Sequence, residues 1–94
     1  MYIKKYLTFD GKLSGTVKYE FFDSITSVHL RLTRKPEEIY RVYFTNKMKE
    51  NYYAGIIDEN GVLFCKKDGI YDALYITQKI GEEQEIITSI FSEE

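Results

Sequence analysis

Tryptophan is absent, and the 94 residues include one cysteine, one proline and one histidine. Each shortage excludes something. A single thiol, Cys65, cannot close an internal disulfide. Secreted domains this small are usually stapled by several disulfides, so the expected compartment is reducing and cytoplasmic. One proline and 44% hydrophobic residues exclude a proline-rich or disordered chain. Alanine, the best helix former, occurs only at Ala54 and Ala73, which argues against a helical protein. No apolar run approaches the roughly 18 residues of a membrane span, and Met1 to Tyr6 lead into no run of signal length. There is no strong charge excess either. The formal net charge of −2 gives no overall attraction to nucleic acid or to an anionic membrane.

What is plentiful is the strand-forming aromatic: nine Tyr and six Phe. From Leu13 to Phe22 the odd positions (Leu13, Gly15, Val17, Tyr19, Phe21) alternate with Ser14, Thr16, Lys18 and Glu20. Alternation with period two marks a strand with one buried face. Ile3, Lys5, Leu7 and Phe9 share a face in the segment before Asp10-Gly11, a favoured type I′ pair, so residues 2–9 and 12–22 are expected to form a hairpin. Asp23-Ser24 breaks the pattern, and Val28, Leu30 and Leu32 carry a third strand. The polar link Arg34–Glu38 holds the only proline; Ile39–Thr45 follows, with Tyr40, Val42 and Phe44 on one face. Tyr52–Ile57 and Val62–Lys66 flank Asn60-Gly61, a second hairpin signal, and Asp68-Gly69 is a third turn pair. Residues 70–80 fit either a strand or a single helix, with Tyr, Ile and Thr content favouring the strand, and the region 86–91 closes the series. The sequence thus predicts one mainly β domain over residues 1–94. It is an antiparallel meander of seven or eight short strands, rolled or closed into a small barrel, and becomes α+β if 70–80 is helical. Gly15 and Gly55, inside strands, are candidate bulges or bends.

The chemistry-bearing motifs are missing. No phosphate-cradling loop, dinucleotide turn, nucleophile elbow or paired-cysteine zinc spacing occurs. Asp10, Asp58 and Asp68 fall in expected turns, where a carboxylate serves local amides. His29 and Cys65 are the only nucleophile–base pairing on offer, with no third residue evident to orient them. The expectation is a protein that is not an enzyme and uses neither cofactor nor metal.

Two features point to binding. Residues 31–49 are basic, and Arg31, Arg34, Lys35, Arg41 and Tyr43 would share a surface if their strands paired around Pro36. Tyr40 and Tyr43, like Tyr52 and Tyr53, straddle the alternation, so one of each pair should face outward, where tyrosine supplies contact area at low entropic cost. The sequence reading is a small protein acting on another protein, as an inhibitor, immunity-type factor or phage-encoded modulator, through Arg31, Arg34, Lys35, Arg41, Tyr40, Tyr43, Tyr52 and Tyr53. A second copy of the chain, docked across a sheet edge, is one version of that partner. The alternatives are a ligand-binding barrel lined by Tyr19, Phe21, Phe44 and Phe64, or a single-stranded nucleic-acid binder using 31–49, which the net charge disfavours. Lys-, Ile-, Tyr- and Glu-rich usage suits a low-GC bacterium or its phages.

Overall fold

Alternating side chains produce eight strands in the computed structural model, which describes residues 2–91: β1 (Tyr2–Phe9), β2 (Gly15–Phe22), β3 (Ile25–Leu32), β4 (Tyr40–Thr45), β5 (Asn51–Ile56), β6 (Val62–Asp68), β7 (Ala73–Ile80) and β8 (Glu83–Phe91). Every pairing is antiparallel, and the described residues contain no helix. The helical option for 70–80 is therefore corrected. Leu74 and Ile76 are buried while Tyr75 between them is not, a period of two, and β7 is hydrogen-bonded to β4 on one side and β8 on the other.

The simple meander and the closed barrel are also corrected. The strands form two four-stranded sheets, ordered β1-β2-β3-β6 and β5-β4-β7-β8. The chain leaves the first sheet after Leu32, crosses through residues 33–39, and returns at Val62 so that β6 pairs with β3. A tight hairpin would have kept β4 beside β3; the long charged link around Pro36 cannot make one. No ladder joins β6 to β5 or β1 to β8 among the described residues, so the sheets face each other without closing.

Between them lies one apolar cluster. The first sheet contributes Val17, Tyr19, Val28, Leu30 and Leu32; the second contributes Tyr40, Val42, Phe44, Leu74, Ile76 and Ile90. Leu30, Val42 and Ile76 are wholly shielded from solvent, and each such side chain is worth about 1.5–3 kcal/mol of burial. Among the described residues two buried ones are polar, Thr77 and, fully enclosed, Thr26. Its hydroxyl donates to the Gly69 carbonyl (2.7 Å) and accepts from the Tyr71 amide (3.1 Å), tying the β6–β7 crossover to the first sheet.

The turns are partly as expected. Asp10-Gly11 lies in a longer loop, residues 10–14, clasped by the Ser14 hydroxyl donating to the Asp10 carboxylate at 2.6 Å. The two-residue hairpin falls instead at Asp23-Ser24, both with positive φ (54° and 63°), the type I′ geometry without its usual glycine. Asn60-Gly61 does turn the chain, with Asp58 Oδ1 accepting from the Asn60 and Val62 amides, but it joins strands of different sheets. Gly55 (φ 134°) does sit at a bulge: Val42 pairs with Gly55 and Tyr43 with Tyr53, leaving Ala54 extra. Gly15 marks a close approach, since a Cβ there would overlap the Arg31 carbonyl and lie 2.9 Å from the Phe9 ring.

Candidate functional site

Strand parity decides which chemistry can be assembled. Val28 pairs with Cys65 and His29 with Phe64, so His29 points to the outer face of the first sheet and Cys65 to its inner face. A nucleophile–base pair between them is geometrically closed. Burial also pushes the Cys65 thiol above its ordinary pKa, away from the reactive thiolate. Among the described residues no group of three or more His, Cys, Asp or Glu side chains is placed to hold a metal ion.

The gap lined by Leu7, Val17, Tyr19, Val28, Phe44, Tyr71, Asp72, Ala73, Leu74 and Ile90 is about 10 Å³, at the lower limit for one water. Tyr19 and Phe44 are core filling, Phe21 is half-buried against the core, and Phe64 faces outward.

The basic and aromatic residues singled out from the sequence separate onto four regions. Arg31 is exposed on the outer face of the first sheet, and Arg41 and Tyr43 lie on the outer face of the second, so the single surface expected from pairing around Pro36 is not formed. Arg34 and Lys35 occupy the β3–β4 link, where with Lys12, Thr33 and Glu37 they line a groove of about 430 Å³. Tyr40 is a core residue beside Val42 and Phe44, and burial raises its hydroxyl pKa, with Glu38 and Glu37 adding to the shift. Tyr52 packs inward against Phe44 and Tyr71, with Lys67 Nζ 4.6 Å above its ring. Tyr40 and Tyr52 are thus corrected from surface to interior positions, and one tyrosine of each pair, Tyr43 and Tyr53, faces outward.

Arg41, Tyr43 and Tyr53 do come together. The ladder sets Tyr53 of β5, Tyr43 of β4 and Tyr75 of β7 side by side. Tyr43 is 5.2 Å from Tyr53 and 5.1 Å from Tyr75, the latter nearly parallel at 14°. The Tyr75 hydroxyl is held above its ordinary pKa, chiefly by burial and then by Tyr43. In the adjoining row Arg41 pairs with Ile56 on one side and Thr77 on the other, and Thr77 pairs with Ile86. The Arg41 guanidinium has no ion pair among the described residues. Tyr53, Ile56 and Ile86 are all exposed at 45% or more. Sequence reasoning missed Tyr75 because residues 70–80 were open between helix and strand; its place between Leu74 and Ile76 was the available signal.

The outer face of the first sheet has a different character. One row across it reads Tyr6, Lys18, His29, Phe64, and the next Lys4, Glu20, Ser27, Lys66. Lys18 and Glu20 form a salt bridge at 3.3 Å, Tyr2 donates to Glu20 at 3.2 Å, and Lys18 is the main influence lowering the Glu20 pKa.

No helix among the described residues is long and apolar enough to cross a membrane. No protein-family model matches the chain, and no curated protein or solved structure matches it either.

Proposed function

We propose that the chain is a small non-enzymatic binding protein of a reducing cytoplasm that acts by protein–protein contact, as an inhibitor or modulator of its partner. Its docking surface in this reading is the outer face of the second sheet. The observation that carries the proposal is the tyrosine row Tyr53–Tyr43–Tyr75 beside Arg41, which has no ion pair among the described residues, with exposed Ile56 and Ile86 at its margins. Tyrosine and arginine dominate the energetic centres of protein interfaces, because both give large contact area together with a hydrogen-bonding tip. The rings are already fixed by stacking on one another, so docking costs little ordering entropy. The partner that fits is a protein surface presenting a carboxylate to Arg41 within an apolar surround. Arg34 and Lys35, on the separate link, would at most steer an acidic partner.

The test is affinity purification of the chain from its own source cells. A stoichiometric protein partner should be retained by the unaltered chain and by Tyr6→Ala/Phe64→Ala, and lost with Arg41→Ala/Tyr53→Ala while the circular-dichroism spectrum stays unchanged. Absence of any partner, or retention undiminished by Arg41→Ala/Tyr53→Ala, would refute the reading.

A further inference from the structure

The outer face of the first sheet is not used by that reading, and its residue content is of another kind. Its outward side chains include four cations, Lys4, Lys18, Arg31 and Lys66, against two carboxylates, Glu20 and Asp68. With Asp23 of the β2–β3 turn, which lines the same groove, counted as a third carboxylate, the local excess is one positive charge, on a chain whose formal net charge is −2. The same face exposes Tyr2 (54%), Tyr6 (70%), Phe22 (60%) and Phe64 (58%). Large rings left half or more in water in a monomer ask for something that covers them.

The arrangement is specific. Lys4 Nζ lies 5.4 Å from the centre of the Tyr6 ring, and Lys66 Nζ 5.7 Å from that of Phe64. Each of the two outermost strands therefore carries a ring with its own ammonium. The two units sit three strand spacings apart, about 14 Å. Between them runs an open groove of about 420 Å³ lined by Lys18, Glu20, Phe22, Ser27, His29 and, from the β2–β3 turn, Asp23, with further side chains of β3 and β6. The Glu20 carboxylate in its floor is already held by Lys18 and Tyr2.

We propose that this face binds a single-stranded nucleic-acid segment. Bases stack on Tyr6 and Phe64, and the backbone phosphates meet Lys4, Lys66, Lys18 and Arg31. Exposed rings on an antiparallel sheet are a stacking platform open to any base, and adjoining ammonium groups complement the phosphodiester charge. A protein ligand would be complemented less well, because the cations stand beside the rings and repel the basic side chains of a mixed surface. The site differs from the tyrosine row of the second sheet, so the two readings stand or fall separately.

The test is fluorescence anisotropy of a labelled oligothymidine about ten nucleotides long, titrated at low and at moderate salt. Binding should weaken as salt rises. It should fall at least about tenfold with Tyr6→Ala/Phe64→Ala, be lost with Lys4→Glu/Lys66→Glu, and be unchanged with Arg41→Ala/Tyr53→Ala. All these side chains are on outer faces, and an unchanged melting temperature verifies that each variant is folded. No salt-sensitive binding, equal binding to a blunt duplex of the same length, or binding indifferent to the ring and lysine variants would overturn the proposal.

Discussion

Replacing Thr26 by valine keeps shape and volume, removes one oxygen, and should unfold the protein more readily than replacing it by the smaller serine. Thr26 is completely buried, and its hydroxyl makes two contacts with the β6–β7 crossover, to the Gly69 carbonyl and the Tyr71 amide. Valine leaves both groups without that partner. Gly69 is exposed, so water can take its carbonyl, whereas Tyr71 is half-buried and its amide is harder to satisfy. With the Tyr71 amide stranded at about 1–3 kcal/mol and the Gly69 carbonyl losing a bond worth about 1 kcal/mol, offset by about 0.8 kcal/mol for the added buried methyl, Thr26→Val should cost about 1–3 kcal/mol. Thr26→Ser keeps the hydroxyl and loses one methyl, about 1 kcal/mol. Urea unfolding followed by circular dichroism reads the difference directly. With a slope of about 1–1.5 kcal/mol/M, the midpoint should drop by about 1–2 M for valine and by less than about 1 M for serine. A valine variant as stable as the parent, or more stable than the serine variant, would refute the idea that this hydroxyl fastens the crossover.

Gly15→Ala should destabilise by about 3 kcal/mol or prevent folding, because its Cβ overlaps the Arg31 carbonyl; a midpoint within error of the parent would contradict that packing. Asp23→Asn with Ser24→Gly should stabilise by about 1 kcal/mol by relieving two non-glycine residues of positive φ, measured as a raised urea midpoint. The Lys5 ammonium is buried on the inner side of edge strand β1 with no hydrogen-bond partner among the described residues, so Lys5→Met should raise the melting temperature, and light scattering should show more self-association once the edge loses its inward charge. Cys65, Tyr40 and Tyr75 all have raised pKa values in the folded chain, mainly through burial. The folded state therefore holds these protons when the unfolded chain has begun to release them. Stability should be flat near neutrality and should fall as pH climbs from about 8.5 through the tyrosine range; a urea midpoint rising between pH 8 and pH 10 would reverse the sign.

Local alternation was legible in the sequence because it is a property of each strand alone. Val17 and Tyr19 against Lys18 and Glu20, or Val42 and Phe44 against Arg41 and Tyr43, give both the strand and its buried face. That Gly55 belongs to a bulge followed from the cost of glycine in a regular strand. Sheet membership was not legible, since it depends on which strands meet across the chain. The return of β6 to β3 is a non-local pairing that the short Asn60-Gly61 turn does not announce, and the link around Pro36 crosses between sheets rather than doubling back. The candidate surface shows the same division. Tyr43 and Tyr53 were separable from Tyr40 and Tyr52 by parity, but their alignment with Tyr75, and the parting of Arg31 from Arg41, required the pairing of β4 with β7 in place of β3. Of the ring-and-lysine face only Tyr2 and Tyr6 stood out in the sequence, on the side of their strand opposite Leu7 and Phe9; its other members come from residues 18–31 and 64–66, and each looks like an ordinary solvent-facing position within its own strand.

The claim that the tyrosine row is where a protein partner docks is tested most directly by a photoreactive phenylalanine analogue placed at position 53 or, separately, at position 6, and irradiated in the source cells. The account predicts one discrete protein adduct from position 53 and none from position 6. No protein adduct from position 53, or the same adduct from position 6, would contradict it.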